Sequence, residues 1–178
     1  MTLARLQLLA AVALAAAAAP PALAQRPAPD RPNILVFVGD DLGWRDTGPY
    51  GNRAIRTPAI DRLARTGLTV RYAFGTSPQC SPSRIGILSG RYPHATRTED
   101  LHTPLPPGER LLPSFLRAAG YFTGHMAKTH YGPNAERQFE WYDRETAPAL
   151  PRFLDAAGDR PFFLWVGFHE PHRPYDRT

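Results

Sequence analysis

Asp40 and Asp41 stand side by side after one apolar run, Lys128 and His130 follow a second, and His169, Glu170 and His172 crowd the end of a third. The remaining reactive group is a single thiol, Cys80, at the head of Cys80-Ser81-Pro82-Ser83-Arg84. Each group alone has an ordinary explanation, because paired aspartates cap turns, a lone lysine is usually solvated, and histidine beside proline fills loops. Together they allow two chemistries. A Cys80 thiolate with His130 or His172 as its base would transfer acyl groups. Alternatively, two carboxylates would hold a hard cation, while Lys128, Arg84 and the histidines surround a tetrahedral anion and residue 80 supplies the nucleophile. Cys80 lies where the N–H groups of a following helix should point, a position expected to favour an anion and lower a thiol pKa.

Strands and helices must bring these groups together. Asn33 to Val38 is a continuous apolar run of strand length, patterned for burial on both faces of a parallel sheet. Thr57-Pro58 predicts an N-cap and a first helical position, with Ile60, Leu63 and Ala64 on an apolar face and Gly67 as the stop. Leu68 to Phe74 alternates loosely, as a second strand would. Ser81 to Ser89 predicts a short helix ended by Gly90, and Arg110 to Ala119 another that leads past Gly120 into a strand over Tyr121 to Met126. Ala147 to Ala157 predicts a further helix with Leu150, Phe153, Leu154 and Ala157 on one face. Phe162 to Phe168, introduced by Pro161, is the last strand. This alternation predicts an α/β fold with a mostly parallel sheet flanked by helices. Ligands of such sheets sit beyond the carboxyl ends of the strands, where all three charged groups fall.

Composition narrows the partners. The chain has 178 residues, 43% hydrophobic and 21% charged, which excludes global disorder. Residues 1–24 read as a signal peptide, with Arg5, an apolar Leu6 to Ala19 stretch, and Ala22-Leu23-Ala24 as a small-x-small cleavage site. The stretch is too short to span a bilayer, so the expected product is periplasmic or secreted, without stable membrane insertion. Residues 25–32 form an extended lead-in, and residues 33–178 are expected to form one domain. The formal net charge is +5, but the arginines are scattered rather than clustered, which argues against nucleic acid and allows an anionic substrate. With one cysteine, no disulfide can form within the chain.

Cys80 to Arg84 followed by Leu88-Ser89-Gly90-Arg91 resembles the signature of the type I, formylglycine-dependent sulfatases. The opening strand with Asp40-Asp41, the segment Thr57 to Ala64, and the strand from Phe162 ending in Pro171-His172 resemble further parts of that family, in order, from about Pro32 onwards. The Ser-Pro-Ser-Arg form and the run Asp159 to Arg173 are most similar to the heparan N-sulfatase (sulfamidase) branch. The resemblance implies an alkaline-phosphatase-like catalytic domain that hydrolyses sulfate esters or sulfamidates. It implies that a formylglycine-generating or sulfatase-maturating enzyme converts Cys80 to formylglycine. It further implies that Asp40, Asp41 and the modified Cys80 face Ca2+, with Mg2+ possible. Arg84 would hold the hydrated aldehyde, Lys128 would bind sulfate oxygens, His130 would position or deprotonate the nucleophile, and His172 would bind sulfate or protonate the leaving group. The implied substrate is a sulfated small molecule or glycan. Ala127-Lys128-Thr129-His130 stands where the family carries Gly-Lys-Trp-His. An Asp-Asn pair and a second sulfate-binding lysine, found further along in the family, have no counterpart before Thr178, so the domain reads as an amino-terminal portion, apparently truncated at its C-terminus. A phosphonate or phosphodiester hydrolase of the same superfamily and a non-catalytic truncated product are the competing readings.

Overall fold

A computed structural model describes residues 31–174, so the signal peptide expected over 1–24 and nearly all of the expected lead-in lie outside the described residues. The ordered elements are β1 (Ile34–Val38), α1 (Pro58–Thr66), α2 (Cys80–Ser89), α3 (Pro93–Thr96), α4 (Leu112–Ala118), β2 (Phe122–Ala127), α5 (Pro133–Glu136), β3 (Trp141–Asp143), α6 (Leu150–Ala157) and β4 (Phe162–Gly167). The four strands among the described residues form one sheet in the order β1-β4-β2-β3, every pair parallel. The expected α/β architecture is therefore present. No helix among the described residues is long and apolar enough to cross a membrane.

The period-two alternation of β4 feeds two cores. Phe163 and Trp165 point to one face, where they join Ile85 and Leu88 of α2, Leu105, Leu111 and Tyr131. Leu164 and Val166 point to the other, where Phe153 and Ala157 of α6 cover them together with Phe122 and Met126. β4 pairs on both sides and is nearly all buried, as its apolar run demands.

β1 departs from its expected burial on both faces. Ile34, Val36 and Val38 pack against the first core, but Leu35 and Phe37 remain 46% and 57% exposed. The strand lies at the sheet edge, and α6 covers the opposite face only beside β2 and β4. Residues 68–74 form no strand: Leu68 and Phe74 are largely exposed, and the segment has no place in the sheet. Loose alternation cannot substitute for a partner edge, and the segment is held through a hydrogen bond from the Tyr50 hydroxyl to the Val70 carbonyl (2.7 Å). The α1 face of Ile60 and Leu63 also points outward. Thr57 does precede α1, but its hydroxyl donates to Asp61 Oδ1 (2.8 Å) and accepts from the Gly48 N–H (2.9 Å).

Candidate active site

Backbone pairing sets the site before any side chain does. The Phe168 N–H donates to the Val38 carbonyl (2.9 Å) and the Asp40 N–H to the Glu170 carbonyl (3.1 Å), so the ends of β1 and β4 are tied beyond the sheet. On the other side of β4, the Lys128 N–H donates to the Gly167 carbonyl (2.8 Å). Three strand ends thus converge, and the first turn of α2 brings Cys80 and Arg84 to them.

Asp40 is the centre. Its carboxylate is almost fully buried, and it accepts from Arg84 Nη2 (3.2 Å), from the Lys128 ammonium and from the Cys80 thiol (3.5 Å). Arg84 is also buried, and its Nη1 donates to the Lys128 carbonyl (3.2 Å), so one guanidinium joins β1 to the end of β2. Lys128 Nζ lies 3.8 Å from Cys80 Sγ. Burial pushes the Asp40 carboxyl upward, but the hydrogen bonds and charges of Lys128 and Arg84 outweigh it and hold the pKa below the usual value. The Cys80 thiol moves the other way. Burial raises its pKa most, the negative charge of Asp40 adds to that, and Lys128 offsets only part. The expected lowering by the helix N-terminus is overturned. The neighbouring carboxylate, within hydrogen-bond reach of the thiol, disfavours a second negative charge.

His130 lies at the far end of this cluster. Its pKa is lowered, chiefly by burial and then by the positive charges of Lys128, His102 and Arg84. Its Nε2 is 2.7 Å from Nδ1 of His102, a residue that no sequence pattern singles out. His102 is anchored in turn, because its backbone N–H donates to Oγ of Ser81 (2.9 Å) beside Cys80. His172 is exposed; its Nε2 lies 3.8 Å from Asp41 Oδ2. Ligand atoms of Asp40, Cys80 and His172 fall within 4.8 Å of one another, close enough to share a cation. Asp41 stands outside that trio, with a largely exposed carboxylate beside His172. A cavity of about 280 Å3 opens over Asp40, Asp41, Cys80, Ser83 and Arg84.

The loops around the site hold strained backbone. Asp41, His102, Ala127 and His130 all adopt positive φ (60°, 70°, 56° and 58°). Such conformations are disfavoured for residues with a Cβ and persist where the surroundings dictate them. At 127 a glycine would sit without strain, and at 129 the threonine hydroxyl donates to Glu136 Oε1 (2.6 Å), which ties the loop to α5. Gly167 is the other residue absent from the sequence reading. A methyl there would run into the Lys128 carbonyl oxygen and stand 2.9 Å from Arg84 Nη1. A glycine ending an apolar strand is the only local sign of it.

The sulfatase family model matches residues 32–141. Human N-sulphoglucosamine sulphohydrolase is 38% identical over 160 residues, covering 79% of this chain and 32% of the human protein. The chain thus spans about a third of that relative's length. Among solved structures, BT4656 in complex with its substrate D-glucosamine-2-N,6-O-disulfate superposes with a TM-score of 0.74 at 23% identity, over 81% of this chain and 35% of that one. The phosphonate monoester hydrolase of Agrobacterium radiobacter shares the fold at a TM-score of 0.63 and 18% identity, over 81% of this chain and 42% of that one.

Proposed function

Because this chain belongs to the sulfatase family, we propose that its cluster of Asp40, Cys80, Arg84 and Lys128 serves the hydrolysis of sulfate esters or sulfamidates, with residue 80 matured to formylglycine. The observation that carries this reading is the convergence of 40, 80, 84 and 128 on one buried carboxylate at the strand ends. A hydrated aldehyde at residue 80 supplies two hydroxyls, one to take the sulfuryl group and one whose lost proton allows sulfate to leave as the aldehyde re-forms. An unmodified thiol fits this place poorly, because burial and the neighbouring Asp40 carboxylate disfavour its thiolate and no histidine among the described residues hydrogen-bonds it.

Arg84 orients the nucleophile, and its bond to the Lys128 carbonyl keeps that lysine at the same opening. Lys128 presents an ammonium to sulfate oxygens, where charge builds during transfer. His130 positions or deprotonates the nucleophile, and His172, exposed at the rim, binds sulfate or protonates the leaving group. The donor chemistry fits a hard cation: Asp40, Asp41 and the oxygen of a modified residue 80 would hold Ca2+, or Mg2+, with His172 adjacent. Such a cation would polarise the sulfuryl oxygens.

The substrate class is a sulfated glycan or sulfated small molecule. Maturation would require a formylglycine-generating or sulfatase-maturating enzyme, and residues 1–24, read as a signal peptide, support a periplasmic or secreted product. Co-expression with a formylglycine-generating enzyme tests the reading: the peptide containing residue 80 should show the mass change for CH2SH becoming CHO and should react with a hydrazide. A thiol that persists under those conditions overturns it. Matched aryl sulfate and aryl phosphonate substrates then separate sulfuryl from phosphonyl transfer, and the phosphonate should be the slower.

A further inference from the structure

His102 and His130 lie 28 residues apart in the chain, yet their rings meet through nitrogens 2.7 Å apart, with centroids at 4.6 Å. The other ring nitrogen of His130, Nδ1, is buried and has no hydrogen-bond partner among the described residues. A hydrogen bond between two neutral imidazoles needs one N–H and one lone pair, so two proton arrangements are possible. If His102 donated, His130 would carry its own proton on Nδ1, and a buried N–H would be left without an acceptor, a costly state. If His130 donates from Nε2, its Nδ1 keeps a lone pair and that buried donor is gone. His102 then carries its proton on Nε2, on an exposed residue where water can accept it.

We propose that His102 is a positioning residue that holds His130 as its Nε2–H tautomer, leaving a lone pair rather than a proton on the buried Nδ1 of His130. This rests on the functional reading above, in which His130 positions or deprotonates the nucleophile. The working nitrogen of a histidine is commonly set by the bond its other nitrogen makes, and here a second imidazole takes the place of the usual carboxylate or carbonyl. His102 is itself fixed, with its backbone N–H on Ser81 Oγ and its φ at 70°. The pair also stands within the electrostatic influence of Lys128, Arg84 and Asp40.

The positive φ of His102 selects the variants, since glycine and asparagine both accept that conformation. His102→Gly deletes the acceptor, and His102→Asn returns a side-chain oxygen near the place of Nδ1. Long-range proton–nitrogen correlation spectra of the chain with isotopically labelled histidine, at mildly alkaline pH, distinguish the two tautomers of His130. The core-bound His125 reports in the same spectra that each variant is folded. Wild type and His102→Asn are expected to show a single Nε2–H form, and His102→Gly a mixture of both. An Nδ1–H form in wild type, an unchanged single form in His102→Gly, or a mixture in His102→Asn would each overturn the proposal. Should His102→Gly fail to fold, the wild-type and His102→Asn spectra still decide it. These spectra are independent of maturation at residue 80. A failed functional reading therefore shows in the mass spectrum, and a failed tautomer assignment in the ring nitrogens.

Discussion

Gly167 shows how a residue without functional groups can govern a charged site. Its carbonyl accepts the Lys128 N–H, and the space where a Cβ would stand is taken by the Lys128 carbonyl and the Arg84 guanidinium. A backbone oxygen cannot swing aside as a flexible side chain can. Gly167→Ala is therefore expected to destabilise the fold by about 1–3 kcal/mol, the usual range for forced overpacking. Urea unfolding should show the lower midpoint at an unchanged slope, and an unshifted midpoint would mean that the strand end yields freely. Asp40, Cys80, Arg84 and Lys128 were legible in the sequence because chemistry restricts their types and spacing. Gly167 and His102 were not, because each matters only through a neighbour brought to it by folding. The direction of the Cys80 shift was missed for the same reason: a helix start is a local feature, but the carboxylate opposing it comes from forty residues away.

At the scale of elements, the docking of α6 on β2 depends on the bare face of Gly124. A Cβ there would collide with the Phe153 ring, standing 2.8 Å from Cδ2, and would approach Trp141 Cε3 at 3.3 Å. Phe153 cannot retreat easily, since it is fully buried among the rings of Phe122, Trp141 and Phe162 at centroid distances of 5.2–5.3 Å. Gly124→Ala should cost about 1–3 kcal/mol, and Phe153→Leu in the same chain should recover part of that loss. A double-mutant cycle by chemical denaturation measures the coupling, and strictly additive losses would show that ring and glycine do not meet. The helices α2 and α6 and the strands β2 and β4 were readable from periodicity and stop signals. β3 escaped because three residues, Trp141–Asp143, are too few to display a period. The segment 68–74 misled for the opposite reason, having a pattern without a neighbouring edge to complete a ladder.

For the molecule as a whole, sequence pattern could place the strands but not order them, and the order decides which faces are covered. With β1 at the edge, Leu35 and Phe37 stay open, and Phe37 finds Phe168 as its stacking partner at 6.0 Å. The interior holds a titratable group that links global stability to acidity. His125 on β2 is 2% exposed, stacked on Tyr142 at 4.4 Å and flanked by Phe139 and Tyr131. Burial pulls its pKa from 6.5 down to about 4. The folded chain therefore keeps this ring neutral where the unfolded chain protonates it, so unfolding takes up a proton between those values and stability falls as pH falls. The contribution is complete above the unfolded value, is lost progressively down to the folded one, and amounts to about 3 kcal/mol at most. His130, also shifted downward, acts in the same direction, whereas Asp40, with its lowered carboxyl pKa, adds its own loss only at more acid pH. Urea unfolding at about pH 7 and about pH 5 should show a clear loss for wild type, and His125→Phe should remove most of the difference. A wild-type stability that stays level between those two conditions would mean that His125 is not held neutral by the core.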